Sequence, residues 1–313
     1  MRIRRTLAYM VFASCVVLFV VKNRAAEVHS GDWTLSKSDE AGKVEFSLIE
    51  HHQGGNSNHQ SDWATSSFQG VDFSKPGRQD VHFTITRDAG KIECEGFLND
   101  GEGAGLFHFH PDTNFAHEME KLGFPVDDEK QFSMAVMDVT LDFAKQMKNE
   151  HLSDIDSDKL IAFRIFRVDS AFIQELRAEG LKISDSDKLV AFRIHGVTPQ
   201  MIRSLRQSGY SPDEDTLIAM RIHGATPEWI AELKQRGYDH VDLEKLIAFR
   251  IHGVSPDFIQ KLQGLGYAHP DPDDLIAMRI HNVTPEYISD MRSRGIHDLS
   301  IEKLVSMRIH GID

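Results

Sequence analysis

A chain of 313 residues, 41% hydrophobic and 27% charged, is an ordinary globular mixture with room for two modest domains, which excludes wholesale disorder. Its formal charge of −13 sets up net repulsion against a polyanion, and no Lys/Arg face is concentrated enough to offset it. Nucleic acid is therefore not an expected partner. Two cysteines, Cys15 in an apolar run and Cys94 in an expected strand, give no internal disulfide framework, and Cys94 reads as a small core residue.

Residues 1–30 have the pattern of an export signal or a signal anchor. Arg2, Arg4 and Arg5 precede an apolar run over residues 7–21, and Lys22 and Arg24 follow it. We read the run as an uncleaved membrane anchor: it is short for a span, but flanking Arg and Lys can snorkel and extend it. Cleavage after Ala26 is the alternative, although Arg24 then stands where a small residue is wanted. A lipid-modified Cys15 is a third option, opposed by the apolar residues that continue well past it. On this reading the remainder of the chain lies outside the cytoplasm.

From about residue 31 to residue 111 the period is two. Val44, Phe46 and Leu48 alternate with Glu45 and Ser47; Val81, Phe83 and Ile85 alternate with His82, Thr84 and Thr86. Turn residues 88–90 and 99–103 separate two further runs, residues 92–95 and 106–110, so an antiparallel meander is expected. Residues 51–60, rich in Gly, Asn, Ser and His, are expected to be a loop.

Residues 112–313 repeat. Leu160, Leu189, Leu217, Leu246, Leu275 and Leu304 each open the phrase Leu-(Ile/Val)-(Ala/Ser)-(Phe/Met)-Arg-Ile, at spacings of 29, 28, 29, 29 and 29 residues. A worn copy around Val139–Phe143 and a half copy from Asp112 to Gly123 precede them. Four residues before each leucine stand Asp156, Asp185, Asp213, Asp242, Asp271 and Ser300, all suited to N-cap a first helix. Gly196, Gly224, Gly253, Asn282 and Gly311 supply the left-handed residue that ends it. Asp169, Thr198, Thr226, Ser255 and Thr284 then cap a second helix, four of them followed by proline at the first helical position. Gly180, Gly209, Gly237, Gly266 and Gly295 close that helix. Helices this short persist only when packed, so the Leu/Ile/Phe faces of neighbouring units are expected to merge into one core. The fold class read from the sequence is α+β: a small antiparallel β meander followed by a helical solenoid of helix-turn-helix repeats.

Two ladders carry the candidate binding residues. Arg193, Arg221, Arg250 and Arg279, with Arg164 and Arg308, occupy one equivalent position; His195, His223, His252 and His281, with His310, occupy another. They form either a ligand-binding stripe, anion-binding for Arg and pH-responsive for His, or a structural one. In the structural reading each Arg holds an acid at a helix start, and each His sits where the carbonyl end of a helix suits positive charge. Metal chemistry is not expected: His108 and His110 share a strand face and His51, His52 and His59 crowd one segment, but neither set has a third ligand at defined spacing. His117-Glu118-Met119-Glu120-Lys121 lacks the second histidine of a zinc-protease helix. Ser300-Ile301-Glu302-Lys303, the one Ser-x-x-Lys, falls at a helix cap. No enzyme activity and no cofactor are expected.

The phrase Leu246-Ile-Ala-Phe-Arg-Ile-His-Gly-Val-Ser-Pro-Asp-Phe-Ile259 and its copies, with Asp88-Ala89-Gly90 through Gly96-Phe97 and Gly103-Ala104-Gly105-Leu106-Phe107, resemble a region of acidobacterial BlaR-type membrane metallopeptidase proteins. That region lies C-terminal to the peptidase. The peptidase core and its His-Glu-x-x-His are absent, so the resemblance implies an extracytoplasmic interaction or sensing module rather than a peptidase. The expectation is a non-enzymatic, membrane-tethered scaffold for a protein or peptide partner. The alternative is a sensor for a cell-wall or antibiotic-like small molecule that signals to a separate membrane partner.

Overall fold

The computed structural model describes residues 29–52, 55–297 and 299–312. The N-terminal segment, with its anchor, cleavage and lipidation readings, lies outside the described residues. Six strands form one antiparallel sheet: β1 (Ser30–Lys37), β2 (Lys43–His52), β3 (Gly55–Ala64), β4 (Arg78–Arg87), β5 (Gly90–Asn99) and β6 (Glu102–Pro111). Their order is β3-β2-β1-β6-β5-β4, so two three-stranded meanders meet along the β1–β6 pair.

The expected loop at residues 51–60 is corrected: most of it belongs to β3, which pairs with β2 from His52–Gly55 to Lys43–Ala64. β3 is an edge strand, where polar side chains discourage further pairing, and of its described side chains only Trp63 is buried. Its alternation is therefore hidden in composition.

One face of the sheet holds the apolar side chains that the period of two singles out, among them Leu48, Phe83, Ile85, Ile92 and Phe107. Trp33 lies among them with no exposed surface and donates from Nε1 to the carbonyl of Glu95 at 3.1 Å. The glycines opposite make this possible, because a Cβ at Gly96 or Gly105 would come within 2.8 or 2.7 Å of the indole. Cys94 is buried in the same core, which pushes its thiol pKa up.

The helices follow in pairs. First helices of each unit are α2 (Asp128–Val136), α4 (Ser157–Ile165), α6 (Ser186–His195), α8 (Glu214–His223), α10 (Leu243–His252), α12 (Pro272–Ile280) and α14 (Ile301–Ile309). Second helices are α1 (Thr113–Leu122), α3 (Leu141–Asn149), α5 (Ser170–Ala178), α7 (Pro199–Gln207), α9 (Pro227–Lys234), α11 (Pro256–Gly264) and α13 (Pro285–Ser293). First helices pack on first helices of neighbouring units, and second on second, as in α8–α10–α12 and α11–α13. This is the stacking of a solenoid.

Capping chemistry sets these boundaries. Asp112, Asp156, Asp169, Thr198, Asp213, Thr226, Ser255, Thr284 and Ser300 each accept a hydrogen bond from a backbone N–H in the first turn of their helix. Asp242 precedes α10 as expected, but its side chain makes no such bond. Tyrosines after second helices stitch neighbouring units. The hydroxyls of Tyr210, Tyr238 and Tyr267 donate to the carbonyls of Val241, Pro270 and Leu299 at 3.0, 2.8 and 2.8 Å. Burial pushes the Tyr238 phenol up to about 12.

Sheet and array join through α2. At the slot that holds leucine in later units stands Gln131, 3% exposed, whose Nε2 donates to the carbonyls of Ala89 and Asp112 at 2.8 and 2.7 Å. A polar residue enters that slot where sheet carbonyls face it.

Candidate binding surface

The arginine ladder is engaged inside the array. Nε of Arg221, Arg250 and Arg279 donates to the carbonyls of His195, His223 and His252 of the preceding unit at 2.9, 3.1 and 3.2 Å. Arg164 does the same to Met137 at 3.0 Å. The guanidiniums also lie over rings on the preceding second helix: Arg193 over Phe172 at 3.6 Å, Arg250 over Trp229 at 5.2 Å and Arg279 over Phe258 at 5.1 Å. Burial pulls the pKa of Arg193 down, partly opposed by Asp169 and Glu175.

The structural reading of the ladder thus needs a correction in its partner. The acceptor is the carbonyl end of the preceding first helix, where positive charge complements the dipole, rather than an acid at a helix start. Lysine serves those acids instead. Lys130 pairs with Asp158 at 2.9 Å, and Lys159, Lys188 and Lys245 pair with Asp187, Asp215 and Asp273. The series breaks where Thr216 and Asp274 replace lysine, so Glu244 and Glu302 receive no such partner from the unit before. Asp274 has its pKa pushed up, first by burial and then by Asp271 and Glu302.

The histidine ladder runs beside the arginines at the ends of the first helices, with His195, His252 and His281 half-buried and His223 exposed. Its backbone carbonyls are what the arginines bind. Of the other histidines, His110 lies 3.2 Å from Glu93, and His51 bonds Asp32 and Asn56 at 2.8 and 3.1 Å. Among the described residues no group of three or more His, Cys, Asp or Glu is arranged to hold a metal ion. Ser300 caps α14 by accepting from the Lys303 amide at 3.2 Å.

A third ladder lies between the other two, and sequence reasoning gave it no role of its own. Ile165, Ile194, Ile222, Ile251, Ile280 and Ile309 are each between 51% and 58% exposed. Each follows the core leucine by five residues, which on a helical wheel turns it about 140° away from that leucine. That angle was the available signal. Half-buried Ile161, Val190, Ile218, Ile247, Ile276 and Val305 lie one turn earlier, with Ala162, Ala191, Ala219, Ala248 and Ala277 beside them. Each first helix therefore presents isoleucine or valine, a small residue, and isoleucine to the outside.

The first unit differs in an instructive way. Shifted by 29 residues, Ile161 and Ile165 correspond to Phe132 and Val136, which are buried at 1% and 6% exposure. Phe132 stacks on Phe107 with centroids 5.8 Å apart, meets Phe109 edge-on at 5.2 Å and stacks on His29 at 4.9 Å. The face left open in six units is covered in this one by β5 and β6. Comparison with known proteins finds no matching family model, no matching curated protein and no matching solved structure.

Proposed function

We propose that the protein is a non-enzymatic scaffold that binds another polypeptide on the outward face of its first helices. The observation that carries this reading is the isoleucine ladder, continuous with a face that already docks the sheet in unit one. Six rungs at about 8–10 Å spacing, each about 13 Å long, make a band on the order of 500–600 Å2. That is at the upper end for an apolar patch on a monomer and close to one side of a standard protein interface.

The occupant that fits is a protein surface bearing apolar side chains with lysine or arginine along one margin. Apolar groups match the isoleucines. Basic groups match the rim at the helix starts, most of all near Glu244, Asp274 and Glu302, where the lysine series is broken. Arg and His flank each isoleucine at the helix ends, and since the arginines serve internal carbonyls, their role is to hold the rungs in register.

Ile222→Asp with Ile251→Asp tests the reading. These changes in the last turns of α8 and α10 should cost about 1–2 kcal/mol in total, leave the array folded and abolish capture of the partner, whereas Gln260→Asp on a second helix should leave capture intact. Unchanged capture by the double variant would refute it. The basic and apolar N-terminal sequence supports a membrane-tethered, extracytoplasmic location; a C-terminal alkaline phosphatase fusion that is expressed but inactive would contradict that.

A further inference from the structure

The face of the sheet opposite the Trp33 core carries an open trough of about 820 Å3. Strand register explains its shape. One row across the sheet reads Ile49, Asp32, Leu106, Glu95 and His82; the adjoining row reads Thr34, Ala104, Phe97 and Asp80. Leu106 and Phe97, 49% and 37% exposed, stand as walls, and the smaller Thr34 and Ala104 leave the depression between them. Its floor is backbone at Gly96 and Gly105, held from beneath by the indole of Trp33. The floor is thus fixed in advance of any ligand.

The carboxylates outnumber the basic groups around it, with Arg78 and His51 at its margin. Asp32, Asp80 and Glu95 line the trough, and neither lysine nor arginine does. His51 bonds Asp32, and Arg78 lies over the Phe97 ring at 4.4 Å. Among the described residues no ion pair engages Asp80 or Glu95. An anion is repelled by such a site, and a neutral apolar molecule would desolvate the carboxylates without compensation. A cation with an apolar body satisfies both the walls and the carboxylates.

We propose that this trough binds a small amphiphilic cation, an amine or quaternary ammonium carrying an aromatic or aliphatic body. Its volume lies within the range of small-molecule sites, about 300–1,000 Å3. The assignment is independent of the helix-face reading and gives the sheet a ligand-sensing role of its own.

The test uses the full chain in nanodiscs of zwitterionic phospholipid, titrated with benzyltrimethylammonium and followed by saturation-transfer NMR and calorimetry. Binding at or below about 1 mM is expected, with phenylacetate and tetramethylammonium at least tenfold weaker, roughly the loss of either the charge match or the apolar contact. Glu95→Gln and Asp80→Asn should each weaken binding about threefold, and together about tenfold. Ile251→Asp in the array should leave it unchanged, so failure here and failure of the scaffold reading are separable. The proposal is overturned by phenylacetate binding as tightly, by folded Glu95→Gln/Asp80→Asn protein binding as well as wild type, or by a lysine-rich peptide occupying the trough while the ammonium ion does not.

Discussion

Replacing Gly224 with alanine tests how the units are locked together, because that glycine answers two demands at once. Its φ of 72° is left-handed, and a Cβ there would lie 2.7 Å from Nη2 of Arg250 of the next unit. Gly209 supplies the comparison: its φ is 89°, and a Cβ there meets nothing within 4 Å. Gly209→Ala should therefore cost only the left-handed strain, about 1–2 kcal/mol. Gly224→Ala adds the displacement of Arg250 from the His223 carbonyl at 3.1 Å and from the Trp229 ring. A mostly exposed guanidinium loses about 1 kcal/mol with the hydrogen bond and about 0.5–1 kcal/mol with the ring. The total for Gly224→Ala should be about 2.5–4 kcal/mol, and in an Arg250→Ala background it should fall to the Gly209 value. Urea unfolding followed by circular dichroism, at unchanged m-value, reads the cycle. Equal costs at the two glycines, or no coupling to Arg250, would refute the locking argument.

Ile230, 1% exposed, should cost about 2–5 kcal/mol on truncation to alanine, with hydrogen exchange rising from about α6 to α12 while the sheet stays protected; uniform loss across the chain would mean a single cooperative globule. Gln131→Leu restores the residue type of the other units yet removes both bonds to the sheet, and should cost about 1–2 kcal/mol with faster exchange at Ala89 and Asp112; an increase in stability would show that the leucine slot is apolar here too. Asp274 has a folded-state pKa raised above its unfolded value, so its ionised form opposes folding. Asp274→Asn should raise Tm at neutral pH, and the gain should fade as pH drops through the carboxylate range and Asp274 itself becomes protonated. Asp274→Lys should add up to about 1 kcal/mol more through Glu302, an increment that salt screens; a Tm gain that persists undiminished at acid pH would contradict the assignment.

The array was legible because its signals are local. A hydroxyl or carboxylate before a proline, and a glycine ten residues on, fix helix ends through contacts made within one turn, as at Thr226, Pro227 and Gly237. β3 was hidden because its identity comes from pairing with β2 rather than from its own Asn, Ser and His side chains. Arg250 could be placed near the core by its wheel position, but its carbonyl partner belongs to another unit, 27 residues away, which no local rule supplies. The isoleucine rungs were passed over for a related reason. Ile251 is as apolar as Leu246, and only the angle between them on the helix separates an interface residue from a core residue.

The central claim is that a partner polypeptide sits on the isoleucine face, and a photo-crosslinking residue at position 251 tests it most directly. Irradiation of native envelopes should join the chain to one other protein through a segment rich in apolar and basic residues, and the same probe at Gln260 should give no such product. Crosslinks from position 251 to lipid alone or to a second copy of this chain, or the same product from both positions, would contradict the account.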